Sequence, residues 1–221
     1  MTPRPRLSGR EIHLWSASLA TDCAHVVPLL SEDERERAGR FVFERDRRRF
    51  IAARGWLRAL LGRYRDIPGA QLRFGYGPKG KPFLEGGPHF NLSHSGEMAL
   101  FAFCAAEEIG VDLEAVRDVA EAEGIVRGHF APGEIEKWMA APPHLRQRVF
   151  FDCWTRMEAV AKALGEGLGA AAPPHVEPWS LFDVSPSPSY AATLAVRGKG
   201  WTFRFMGQCE RAAANTEDRP G

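Results

Sequence analysis

Apolar residues recur along this chain with two spacings, and each spacing predicts a kind of element. From about Arg45 to Tyr64, the residues Phe50, Ile51, Leu57, Leu60, Leu61 and Tyr64 fall close to the 3.6-residue period of a helix with one buried stripe. Upstream, Ser31 opens SEDE with Glu34 three residues on, a capping-box pattern that starts another helix. Short apolar runs bounded by turn residues predict strands near Ile12, Leu14 and Trp15, then over 72–76, 98–104, 109–111, 179–184, 191–197 and 201–206. Helices are expected over 120–127, in APGEIEKWM from Pro132, and over 145–164 with Gly165 as its stop. Each half runs helices and then strands. The pattern predicts an α+β fold of two lobes, 1–109 and 110–210, with a polar tail over 211–221 expected to be disordered.

The stretch FNLSHSGEMALFAFCAAEEIGVDLE, residues 90–114, organises the rest. It holds a polar cluster at Asn91, Ser93, His94 and Ser95, an apolar run and a return to Asp112 and Glu114. Side chains two apart on a strand share a face, so these two carboxylates lie together, with Leu113 opposite. Two readings stand for the pair alone: a solvated strand end, or oxygen ligands for a divalent cation such as Mg²⁺. Farther on, Glu158 and Lys162 are four apart and share a helix face, which alone describes an ordinary ion pair.

Charge and cysteine usage narrow the class. A formal net charge of +1 argues against a general electrostatic role on nucleic acid or a membrane surface. The first residues show no apolar signal-peptide core, and no run is long enough to span a bilayer. Cys23, Cys104, Cys153 and Cys209 lie far apart without CxxC or zinc spacing, as expected of free thiols in a reducing cytoplasm. The loop GPKGKPF carries Lys79 and Lys81 among turn residues but lacks the P-loop spacing. The run Arg45, Arg47, Arg48 and Arg49 reads as a solvated face or as a phosphate-reaching guanidinium.

Four segments in order then resemble one family: GKP at Gly80–Pro82, FNLSHSG, GVDLE and WTRMEAVAKALGEGL. They resemble the two-lobed, surfactin-synthetase-activating type of 4′-phosphopantetheinyl transferase, whose signature is GxDxE followed downstream by WxxKExxxK. The resemblance covers about residues 31–168. It implies two similar α/β lobes related by a pseudo-twofold axis, with the active site between them. It implies transfer of 4′-phosphopantetheine from coenzyme A to a serine of an apo acyl, polyketide or peptidyl carrier protein, with release of 3′,5′-ADP, by a monomer. Asp112, Glu114 and Glu158 then match Mg²⁺ ligands, with Mn²⁺ as a substitute, and Asp112, Glu158 and Lys162 match catalytic positions. The resemblance puts Lys162 near the transferred phosphate, to stabilise developing charge or protonate the leaving diphosphate, and makes Glu158 also a candidate base for the carrier serine, directly or through a metal-bound water. Ser93, His94 and Arg49 match residues on the 3′-phosphate of coenzyme A, and Lys79, Gly80, Lys81 and Pro82 match the loop around its nucleotide. The carrier would dock near residues 165–174.

Two departures stand out. Met157 occupies the place of the lysine before the helix glutamate, so Met157→Lys is expected to raise kcat/KM. Glu34 stands where a basic residue often helps hold the 3′-phosphate, and Arg37 one turn later is a substitute. The alternatives are a non-catalytic binder of coenzyme A or carrier, and a Mg²⁺-dependent phosphodiesterase or nuclease on the same carboxylates.

Overall fold

The computed structural model describes residues 4–20, 22–166 and 178–209. The first strand, β1 (Glu11–Ser18), alternates between two covered faces: Ile12 and Leu14 go to one core, Trp15 and Ala17 to another. Two helices follow, α1 (Glu32–Gly39) and α2 (Glu44–Arg65), then the short pair β2 (Gly75–Tyr76) and β3 (Pro82–Phe83). A hairpin of β4 (His89–Ser95) and β5 (Met98–Cys104) leads to β6 (Ile109–Ala115). Next come α3 (Ala122–His129), α4 (Pro132–Ala140) and the long α5 (Arg146–Leu164), which Gly165 ends with a left-handed φ of 71°. The described chain finishes with β7 (Trp179–Asp183), β8 (Tyr190–Arg197) and β9 (Thr202–Cys209).

These elements build a mixed α+β molecule in four layers. One sheet has the order β4-β5-β1-β9 and the other β6-β8-β7. The sheets face each other across a shared core of Ile12, Leu14 and Leu100 on one side and Val111, Leu113 and Leu194 on the other. Helix α2 covers the outer face of the first sheet, with Leu57, Leu60 and Leu61 on Trp15, Phe101 and Phe103. Helix α5 covers the outer face of the second, with Ala159 and Val160 on Ala195. Since both faces of β5 are covered, its run reads as unbroken apolar sequence.

Several elements differ from the sequence expectation. β4 is a strand where only a polar cluster is expected, because Asn91, Ser93 and Ser95 bond to the backbone of β6 while Phe90 and Leu92 pack on the α2 side. The strand over 72–76 shrinks to Gly75–Tyr76, because its sole ladder partner is β3, where Pro82 offers no N–H. The carbonyl of Leu72 instead accepts from the buried guanidinium of Arg58. The last strand runs on to Cys209 and pairs in parallel with β1, so the chain returns to the sheet it began with. All four cysteines are free thiols. Among the described residues, no helix is long and apolar enough to cross a membrane. The expected tail over 211–221 lies outside the described residues, as does most of the segment 165–174.

Candidate active site

The site begins with a close approach of helix to strand. A Cβ at Gly110 would stand 1.9 Å from the carbonyl oxygen of Ala159 and 2.5 Å from the amide nitrogen of Ala163. Glycine therefore lets α5 lie directly on β6. On β6 the core takes Val111 and Leu113, which turns Asp112 towards α5, one residue pair on from Gly110. Lys162 of α5 puts its Nζ 2.6 Å from Asp112 Oδ1 and 2.9 Å from Ser93 Oγ. The Ser93 hydroxyl donates to the same Asp112 oxygen over 3.0 Å. Glu114 accepts from Ser95 Oγ at 2.9 Å and from Arg117 at 3.1 Å.

Glu158, one turn before Lys162, is buried, and its pKa is raised above the usual carboxylate value. Burial is the largest cause; the charges of Asp112 and Glu114 add to it and Lys162 opposes it. The three carboxylates thus share one electrostatic neighbourhood. Asp112 Oδ2 is buried there without a hydrogen-bond partner. Hard oxygen donors with one unsatisfied buried oxygen fit a divalent cation such as Mg²⁺. They are not a ready-made cage: among the described residues, no three acidic, histidine or cysteine groups stand close enough together to hold a metal ion.

A cavity of about 230 Å³ opens on the other side of β4. Its lining includes Arg37, Phe50, Arg54, Tyr76, Pro82 and His94. Alternation along β4 explains the division. Phe90 and Leu92 face α2 with His94, while Asn91, Ser93 and Ser95 reach the backbone of β6, Asn91 also bordering the cavity. His94 is exposed, yet its surroundings lower its pKa below the usual histidine value. Desolvation leads, the cations of Lys162 and Arg49 add to it, and Glu114 opposes. This histidine stands electrostatically between the cavity and the carboxylate cluster.

Several expected residues have other commitments. The Lys81 ammonium donates to Glu108 and to the carbonyls of Ile109 and Ala163, so it ties the GKP loop to the end of α5 and does not line the cavity. Ser93 is placed with Asp112 rather than in the cavity, because its hydroxyl is used across the seam. Arg49 pairs with Glu97 and Asp46, close enough to His94 to act on its charge. Lys79 is exposed, and Gly80 lies in the cavity wall with a left-handed φ of 82°. Met157 packs on the apolar cluster around Phe150 and Trp138.

Glu34 is buried and does not line the cavity. Its carboxylate accepts from Ser31 N–H and from the guanidinium groups of Arg54 and Arg58. Arg54, held in this way, also donates to the Tyr76 hydroxyl at 2.8 Å and lies over the Phe74 ring. Arg54 and Tyr76 are the cavity residues that sequence reading missed. The signal available was the acid at position 34, since a buried carboxylate calls for a cation and α2 supplies arginines at helical spacing.

Comparison with known proteins decides the family. A model described as the 4′-phosphopantetheinyl transferase superfamily matches residues 108–213, and one described as 4′-phosphopantetheinyl transferase, N-terminal, matches residues 13–107. The 4′-phosphopantetheinyl transferase HetI of Nostoc sp. is 37% identical over 224 aligned residues, covering 92% of this chain and 94% of that protein. This chain belongs to the 4′-phosphopantetheinyl transferase superfamily. More distant members align over less of their length. The Sfp enzyme of Bacillus subtilis is 28% identical across 63% of this chain and 62% of its own. The L-aminoadipate-semialdehyde dehydrogenase-phosphopantetheinyl transferase of Mus musculus is 30% identical across 71% of this chain and 53% of its own.

Proposed function

We propose that this transferase moves 4′-phosphopantetheine from coenzyme A to a serine hydroxyl of an apo carrier protein, of acyl, polyketide or peptidyl type, and releases 3′,5′-ADP. The observation that carries the reading is the place of His94. It lines the cavity, and its charged neighbours are Lys162 and Glu114 of the carboxylate cluster. A substrate with an anionic nucleotide at one end and a pyrophosphate beside it suits such a pairing.

The geometry supports a role for each residue within this reading. His94, Arg37 and Arg54 hold the nucleotide's phosphate, with Arg49 close enough to His94 to add its charge, while Gly80, Pro82 and Tyr76 line the space for its base and the exposed Lys79 is a further cation for the nucleotide. Asp112, Glu114 and Glu158 hold Mg²⁺, or Mn²⁺ in its place. The bound ion would polarise the phosphoryl oxygens and offset carboxylate charge. The carrier serine oxygen attacks the phosphorus that bears the pantetheine arm, and its proton passes to Glu158. The bond to the 5′-phosphate of the adenosine breaks, and Lys162 offsets the charge that appears on the departing 3′,5′-ADP. Site residues from both halves of one chain suit a monomer, and four free thiols suit the cytoplasm.

The test is the intact mass of an apo peptidyl and an apo acyl carrier after incubation with the protein, coenzyme A and Mg²⁺. A gain of one phosphopantetheine group is expected, and Glu158→Ala should abolish it. Coenzyme A binding without a gain on either carrier would contradict the reading and favour a non-catalytic binder.

A further inference from the structure

The seam between the two sheets is joined by side chains. Strand β4 is an edge of the first sheet and β6 an edge of the second, and no main-chain ladder links them. Asn91 Oδ1 accepts from Val111 N–H at 2.9 Å, Ser93 Oγ from Leu113 N–H at 3.2 Å and Ser95 Oγ from Ala115 N–H at 3.1 Å. Each rung joins residues twenty apart in sequence. A constant offset at alternate positions is the signature of two strands held side by side in fixed register. Without these acceptors, the amides of Val111 and Leu113, both buried residues, would face a dry seam unpaired.

The two serines do more than satisfy amides. Ser93 accepts from Leu113 N–H and from Lys162 and donates to Asp112, which uses the full capacity of a hydroxyl. Ser95 accepts from Ala115 N–H and donates to Glu114 Oε2. Each hydroxyl therefore fixes a stretch of β6 backbone and the carboxylate that projects from it. Asn91, the third rung, bonds to backbone and to neither carboxylate, and it also borders the cavity.

We propose that Asn91, Ser93 and Ser95 are positioning residues, a side-chain ladder across the seam whose hydroxyl rungs aim Asp112 and Glu114. The reading of those carboxylates as the transferase's cation ligands is taken over from the proposed function; the ladder itself is not. Groups that orient metal ligands from behind are typically worth 10–100-fold in metal affinity or activity.

Ser95 gives the cleanest test, since it touches Glu114 and neither the cavity nor Lys162. Ser95→Ala and Ser95→Thr are compared in the full chain. Calorimetry with Mn²⁺ alone, kcat, KM for coenzyme A and Tm are measured for each. For Ser95→Ala, Mn²⁺ affinity and kcat should each fall about tenfold, with KM for coenzyme A within about twofold of wild type. Ser95→Thr, which keeps the hydroxyl, should recover both. Wild-type Mn²⁺ affinity and kcat in Ser95→Ala would overturn the ladder, as would a Ser95→Thr as impaired as the alanine variant at unchanged Tm. A wild-type protein that modifies no carrier would sink the transferase reading, while the Mn²⁺ measurements would still judge the ladder.

Discussion

At the scale of the residue, the proposed function makes His94 the link between charge and substrate binding. In the free protein its pKa lies below the ordinary value of 6.5, with desolvation as the first cause and the cations Lys162 and Arg49 next. A phosphate placed against the ring favours the imidazolium and raises that pKa. Binding coenzyme A should therefore take up protons near pH 6.5, and His94 should favour tighter binding as pH falls from 8 to 6. Calorimetry in buffers of different ionisation enthalpy reads the uptake directly. His94→Gln should abolish it and weaken binding at pH 6 about tenfold more than at pH 8, a factor that corresponds to one pKa unit. Equal uptake in both proteins would place the phosphate elsewhere. Stability of the free protein runs the other way. A histidine with a lowered folded pKa costs stability as pH falls through its unfolded value and costs nothing well above it.

Residues differ in how much of their role the sequence discloses. Asp112, Glu158 and Lys162 were legible because strand alternation and helical spacing are local, and these carry the side chains to one place once β6 and α5 are packed. Lys81, Ser93 and Glu34 were not. Lys81 ends on Ala163, eighty-two positions away, and Ser93 on Lys162, sixty-nine away. Such commitments depend on tertiary neighbours that no local pattern encodes. Arg54 shows the same limit: among many arginines in α2, only the fold selects the one that Glu34 holds into the cavity wall.

At the scale of the element, the pair β6 and α5 sets the precision of the site. Backbone contact at Gly110 fixes how far Glu158 and Lys162 stand from Asp112. In Gly110→Ala, the added methyl meets main chain, which cannot rotate out of the way. Overpacking of this kind typically costs about 1–3 kcal/mol. For a chain of this length that lowers Tm by roughly 2–4 °C for each kcal/mol. Because α5 must lift off β6, kcat should fall by at least about tenfold, with KM for coenzyme A changed less, since the cavity lies across β4. Thermal scans and steady-state kinetics on the one variant check both. A Tm within a degree of wild type would show that the contact is looser than the structure has it. The apolar strands were readable from their sequence pattern, whereas β4 was not, since its alternate positions are polar and find their partners on β6; nor was the parallel return of β9 to β1, since strand partners far apart in sequence leave no local signal.

At the scale of the molecule, two sheets share one core and two helices close its outer faces. Chemistry sits where the sheet edges meet. The first half brings a cavity with histidine, arginine and tyrosine in its wall, and the second brings three carboxylates and a lysine. Neither half holds the whole set. This arrangement predicts group transfer with two coupled products. The direct measurement is to quantify holo-carrier and 3′,5′-ADP in one reaction containing the protein, coenzyme A, Mg²⁺ and an apo carrier. Equal amounts of the two, rising together and absent in Glu158→Ala, are what the account predicts. 3′,5′-ADP released without holo-carrier would show a phosphodiesterase in place of a transferase and would contradict it.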